Sequence, residues 1–488
     1  MKKLYISIIA LALTATGGCK KFLEQPPDQR TQINTVDKVA ELLTSAYAEA
    51  NYIPFMESAS DNAVDKGPAY NDKDRFVTLP FYWRDNNDFD NDSPINYWNS
   101  SYTAIASANE ALAAIERAED KSAYMPYKGE ALLARAYAHF MLVNIFSKVY
   151  DPAGANNSPG IPYVTTPETV VLGQYTRGTV ASVYAQIEKD LTEGLPLIKD
   201  NAYKVVKYHF NLAAAHAFAA RFYLFKQEYT KVIEHASAVS SGNNFATILR
   251  PWNTRYLNYT GEELRTNFTR ASEPSTLLLV ETASSWARTT APRYGFGQEI
   301  LAVFNRRNVS GAFYSYGLYT TGGVPHYSLL KWNEYFVKTS QNATIGFPYT
   351  IVPVLTADEV LLNRAEAYAA TGQNALALAD LNTFYSTRGE DYDASAHEIT
   401  LAKIATFYGT TDVKAGLISN ILEFKKIEFL GEGLRWLDIL RYKLPVTHNV
   451  LGVRGEIADA MVLGAEDPRR LFQLPTQATL SGLELNPR

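Results

Sequence analysis

Apolar residues spaced three and four apart recur through most of this chain. Between 36 and 50, Val39, Leu42, Leu43, Ala46 and Tyr47 share one face of a helix. Trp98, Tyr102, Ile105, Asn109, Leu112 and Ile115 repeat the spacing, and the segments 129–146, 180–198, 212–225, 229–239, 356–370 and 375–385 follow it. Two longer stretches share a grammar. In NLAAAHAFAARFYLFKQEYTKVIEHASAV (211–239) and ADEVLLNRAEAYAATGQNALALADLNTFY (357–385), alanines stand where two helices would touch, and an aromatic fills the gap to the next pair. This is the tetratricopeptide pattern. With 36–51 paired to 98–116 and 129–146 to 180–198, it predicts a mainly α fold: a scaffold of about four helix pairs forming one domain over 36–488.

Two regions break the helical period. Residues 51–97 and 241–355 are richer in Asn, Gly, Pro, Arg and aromatics, and TLLLVETA (276–283) is the one clear strand-like run. Loops of this length inside a compact body are functional or disordered, and their aromatic content argues for function.

The N-terminus has a different character. Lys2 and Lys3 precede an apolar run from Leu4 to Ala15, and Thr16, Gly17 and Gly18 lead to Cys19, the only cysteine. A charged start, a short apolar stretch and small residues predict a secretory signal over 1–18. The run is too short to span a bilayer. Cleavage before Cys19 would leave a thiol at the new terminus as a lipid anchor, with residues 19–35, which include Pro26 and Pro27, as a tether. A leucine is more usual than Thr16 three residues before such a cysteine. The bland alternative is a free thiol near an ordinary cleavage site. A single thiol permits no bridge within the chain, so the fold rests on its core.

The formal net charge is -5, and removing Lys2 and Lys3 takes it to -7. A mildly acidic chain with no basic run argues against nucleic acid as partner. Motifs for catalysis are missing. HEITL (397–401) lacks the second histidine of a zinc helix, and no phosphate-binding glycine loop, dinucleotide fingerprint or nucleophile elbow occurs. Unpatterned carboxylate pairs leave a glycoside hydrolase open, since their geometry is not readable from sequence. No cofactor is expected. DNNDFDND (85–92) alternates oxygens as a calcium loop does, but lacks the glycine at its sixth place and has Asn96 where the bidentate glutamate belongs. His139, within AYAHFML, reads as a core or interface histidine.

Aromatics are the remaining signal. Phe81, Tyr82, Trp83 and Phe89 crowd one loop region, and Trp286, Tyr294, Phe296 and Phe304 crowd the other. Aromatic faces stack on sugar rings while Asn, Asp and Arg meet hydroxyls. The same composition suits protein partners. Trp98 and Tyr102, in phase with a helical stripe, read as core.

Taken in order, several segments resemble the SusD-like (RagB/SusD) outer-membrane lipoproteins of the Bacteroidetes. They are CKKFLEQPP (19–27), WNSSYTAIASAN (98–109), ARAYAHFMLVNIFSKVY (134–150), GIPY (160–163), RGTVASVYAQIEKDL (177–191), LLNRAEAYA (361–369), EFKKIEFLGEGLRWLDILR (423–441) and LFQLPTQATLSGLELNP (471–487). Lys425-Lys426 departs from a more usual Glu-Arg. The resemblance implies four tetratricopeptide-like pairs with an irregular ligand-side half. It also implies an outward-facing anchor in the outer membrane and a non-enzymatic role: capturing an oligosaccharide, or a peptide, for a SusC-like TonB-dependent transporter. In such proteins the ligand contacts come from loops ahead of the Trp98 helix and from later insertions. On that basis Trp83, Arg84, Asn86, Trp286, Arg288 and Tyr294 are the expected ligand contacts.

Overall fold

In the computed structural model, residues 33–488 are described, except 69, 71, 72, 171, 290, 291, 321–326, 453 and 455. The expected signal, Cys19 and all but the end of the tether lie outside the described residues.

Polar caps start several helices of the scaffold. Thr35 accepts the Lys38 amide to open α1 (Val36–Leu43). Two short helices, α2 (Ile53–Ala59) and α3 (Arg75–Phe81), precede α4 (Pro94–Arg117), which Ser93 caps by accepting the Asn96 amide. Then comes α5 (Met125–Phe146), buried at every position from 129 to 146. A helix surrounded on all sides needs no polar face, and α5 is the axis of the first half, with α4 along one flank and α6 (Val180–Gly194) along another. The crossing of α5 and α6 depends on two glycines. A Cβ on Gly129 would stand 2.9 Å from the Gly194 carbonyl oxygen, and one on Gly194 would stand 3.0 Å from that of Gly129.

The second half repeats the arrangement. Helix α7 (Leu212–Lys226) ends at Gln227, whose φ of 56° turns the chain into α8 (Tyr229–Val239). After α9 (Gly261–Phe268) and α10 (Gln298–Phe304) comes α11 (Ala357–Ala370), joined through Gly372 at φ 75° to α12 (Asn374–Tyr385). Helix α11 lies against α7 and α8, and α14 (Val413–Glu428) packs on α11 and α12, with α13 (Leu401–Tyr408) beside it and α15 (Leu434–Arg441) following.

Buried arginines tie the pairs together. Arg135 on α5 grips Asp190 on α6 with two hydrogen bonds of 2.7 and 2.8 Å and also reaches Asn109 on α4. Arg364 on α11 holds Asp380 on α12 in the same way, at 2.8 and 2.6 Å. Arg221 on α7 reaches across to Glu359 on α11. Lys425 meets Glu366 at 2.6 Å, and Lys426 meets Asp61 at 3.0 Å, so the unusual lysine pair is consumed by internal ion pairs. Planar guanidinium forks match carboxylates in two-point contacts. The Arg135–Asp190, Arg364–Asp380, Arg221–Glu359 and Lys425–Glu366 pairs each fix the register of two helices.

The expected helices form with ends displaced by a few residues. The first is shorter than its pattern: it stops at Leu43, and residues 44–52 turn so that Ala50 bridges to Ala283. Strand β1 (Val64–Asp65) pairs with β3 (Tyr294–Gly295). The expected strand β2 (Thr276–Ala283) is present, but it borders a three-stranded antiparallel sheet in the order β2, β7 (Gly346–Thr356), β6 (Glu334–Lys338). Pro348 and Pro353 disguise β7 in the sequence, because proline removes ladder donors. Two short strands, β4 (Leu318–Thr320) and β5 (Tyr327–Leu329), pair with each other, as do β8 (Val446–Leu451) and β9 (Ile457–Leu463).

Candidate ligand-binding face

The two irregular regions of the sequence meet and are pinned to one another. Asp92, wholly buried, accepts hydrogen bonds from Ser284 Oγ (2.6 Å), the Ser285 amide (2.8 Å) and Ser285 Oγ (3.0 Å). This joins the loop that follows α3 to the end of β2. Burial pushes the Asp92 carboxyl up to about 6 against the pull of those donors. A second clasp lies at β1, where Arg293 binds both oxygens of Asp65 at 2.6 and 2.9 Å. The hydroxyls of Tyr82 and Tyr294 meet at 3.1 Å beside it.

Two residues past the end of α3, Trp83 has φ 50°, a value that a bulky residue adopts only when its surroundings hold it. Here they do. The indole donates to the Ala59 carbonyl at 3.0 Å and stacks on His448 of β8 at 4.5 Å, and Phe81 covers that imidazole at 4.2 Å. With 6 % of its surface exposed, Trp83 is mostly enclosed, and what it shows lines the crevice beside Arg84, under Arg469 at 5.8 Å. Tyr294, 4 % exposed and packed on Phe81, is equally enclosed. Both residues pack into the frame that supports the loops.

The other four expected contacts fall into two places. Arg84 and Asn86 line a small crevice with Asp85, Arg469, Gln473 and Arg488. Arg84 is exposed and lies over the Tyr82 ring at 5.0 Å. Asn86 is 6 % exposed, and its Nδ2 has no hydrogen-bond partner among the described residues. Trp286 and Arg288 sit on the far side of the Asp92 clasp. Trp286 is half-buried with its Nε1 similarly unpartnered, while Arg288 pairs with Glu334 and lies over Phe336 at 5.7 Å. The structure thus links the two patches through one clasp but does not merge them into one pocket. Exposed Arg84 and Arg288 beside the half-buried Trp286 ring suit a ligand rich in oxygen acceptors.

The acidic run does not gather into a cage. Asp85 pairs with Arg488 at 2.6 Å, Asp88 with Arg75 at 2.7 Å, and Asp92 turns inward. Among the described residues no three metal-ligating side chains of His, Cys, Asp or Glu converge. The sequence reading overlooked Asp92, Ser284, Ser285 and the Asp65–Arg293 clasp. An acid in a loop and two serines after a strand carry no spacing that links them across 192 residues.

Comparison with known proteins places this geometry. A model described as SusD-like, starch-binding and associating with the outer membrane matches residues 21–224, and the SusD family model matches residues 295–469. This chain belongs to the SusD-like family. No curated protein sequence matches it. Among solved structures, a SusD superfamily protein from Bacteroides thetaiotaomicron VPI-5482 aligns with a TM-score of 0.69 at 21 % identity, covering 93 % of this chain and 100 % of the other. A SusD-like carbohydrate-binding protein from Bacteroides vulgatus ATCC 8482 aligns with a TM-score of 0.64 at 15 % identity, covering 92 % and 96 %. A laminarin-binding SusD-like protein aligns at 0.56 and 18 % identity, covering 93 % and 98 %. These likenesses establish the SusD-like fold, mainly α and built on tetratricopeptide-like pairs. Among the described residues no helix is long and apolar enough to cross a membrane.

Proposed function

We propose that this SusD-like protein is an outward-facing outer-membrane lipoprotein, anchored through Cys19, that captures an oligosaccharide without altering it. It then passes the sugar to a SusC-like TonB-dependent transporter. The observation that carries the reading is the clasped loop face, where Arg84, Asn86, Trp286 and Arg288 bring charge, an amide and an aromatic ring onto a frame held by buried Asp92. Family membership supports it, as do the carbohydrate-binding and laminarin-binding structural relatives. A rigid face of this kind lowers the ordering cost of binding. The helical half is then free to dock the transporter.

The test has three arms. Titration calorimetry against neutral oligosaccharides should give saturable binding that falls in Arg84→Ala and Trp286→Ala. Chromatography of the same mixtures should reveal no new reducing ends. Mass spectrometry of the protein extracted from its own membrane should find a lipid on Cys19. Cleavage of the glycan would reject the binding role, and an unmodified Cys19 would reject the anchor.

A further inference from the structure

A separate groove of about 610 Å³ opens where α12 ends. It lies within the size range of small-ligand sites, about 300–1,000 Å³. None of its lining residues belongs to the Arg84 crevice. Its floor is a short backbone ladder: the Ser315 amide donates to the Arg388 carbonyl at 2.8 Å, and the Glu390 amide to that of Phe313 at 3.0 Å. One wall is locked onto this floor by Asn253, whose Nδ2 donates to the carbonyls of Ser386 and Gly389 at 2.9 and 3.0 Å. The cavity is thus preformed.

Its chemistry is that of a polyol site. Ser315, 7 % exposed and part of the lining, has a hydroxyl with no partner among the described residues. Glu390 and Asp391 are exposed members of the lining, next in the chain to half-buried Tyr392, and Leu257, 58 % exposed, adds apolar surface to it. A carboxylate accepts from neighbouring hydroxyls of one sugar ring, while Tyr392 and Leu257 offer surface to its C–H face. Among the described residues no Lys, Arg or His lines the groove, so an anionic sugar would meet two like charges there and no counter-charge.

We propose that this groove is a second saccharide site, taking a short neutral oligosaccharide segment and rejecting anionic glycans. It rests on the glycan-binding reading above and adds to it a second site and its charge selectivity. Two sites on one rigid body would hold a long chain with greater avidity than either alone.

Calorimetry with maltotetraose, laminaritetraose, xylotetraose and tetragalacturonate tests it. Thr254→Trp fills the groove from an exposed position, and Glu390→Gln/Asp391→Asn removes its charge without changing its shape. The proposal expects two sites per chain for a neutral tetrasaccharide, one site in Thr254→Trp, and one remaining site in Arg84→Ala. It also expects tetragalacturonate to bind the charge-neutralised variant at least tenfold more tightly than the wild type. One site that survives Thr254→Trp and Tyr392→Ala unchanged, yet is lost in Arg84→Ala, overturns the groove alone. A panel that never binds overturns the glycan reading together with it.

Discussion

Replacing Asp92 by asparagine probes the clasp on which the ligand face depends. Burial raises this carboxyl from 3.8 to about 6 in the folded protein. At about 1.4 kcal/mol for each pH unit, keeping the group ionised costs the fold about 3 kcal/mol at neutral pH. Because the folded state holds the proton more tightly than the unfolded chain, this group's contribution is fully present below pH 3.8. It is lost as pH rises through about 6. Asparagine never ionises. It gives up one acceptor toward the serines, worth about 1 kcal/mol. The variant should therefore nearly match the wild type at pH 4.5 and exceed it by about 2 kcal/mol at pH 7.5. Urea denaturation of both proteins at the two pH values measures the difference, in which the titration of all other carboxylates cancels. A difference that stays flat between these pH values, or moves the other way, would refute the assignment of a buried, proton-holding clasp.

Other substitutions test the scaffold and the site. Gly129→Ala places a methyl group 2.9 Å from the Gly194 carbonyl oxygen, and chemical denaturation should show a loss of about 1–3 kcal/mol. Arg135→Ala leaves Asp190 buried without its fork, so a loss of about 3–5 kcal/mol is expected, whereas exposed Arg84→Ala should leave the denaturation midpoint unchanged. His139 donates from Nδ1 to the Arg135 carbonyl and accepts the Val164 amide at Nε2, and burial lowers it to about 3. Its folded value is depressed, so its stabilising effect is present above pH 6.5 and fades as pH falls toward 3; nitrogen NMR should find one neutral Nδ1–H tautomer at pH 5. Trp286→Ala should weaken glycan binding by about 1–3 kcal/mol if its ring stacks on sugar.

The scaffold was legible because helix packing writes itself into local spacing. Ala365, Tyr368 and Ala369 announce their helix without reference to distant residues. The short helices α2 and α3 were not legible: α2 is buried at all its positions and has no polar face to set a period. Strand β7 hid behind its prolines, and α13 to α15 are not read as helices, although the end of α14 and all of α15 fall in the segment 423–441 that carries the resemblance. At the site, composition singled out the two regions that the structure brings together, but not how their side chains pack. Trp83 and Tyr294 were chosen as aromatics in unperiodic loops, and burial by His448 and Phe81 converted them to supports. His448 lies 365 residues beyond Trp83. No local pattern predicts that stacking, nor the Asp92 clasp, because both are long-range contacts formed only when the loops meet.

The central claim is that the clasped loop face holds an oligosaccharide and leaves it intact. Calorimetry of the lipid-free protein and of an Arg84→Ala/Trp286→Ala variant, titrated with neutral oligosaccharides and followed by chromatography of the recovered sugar, tests it most directly. The account predicts saturable binding by the wild type, binding at least tenfold weaker at that face in the double variant, and sugar recovered unchanged. Equal binding by both proteins, or shortened sugar from the wild type, would contradict it.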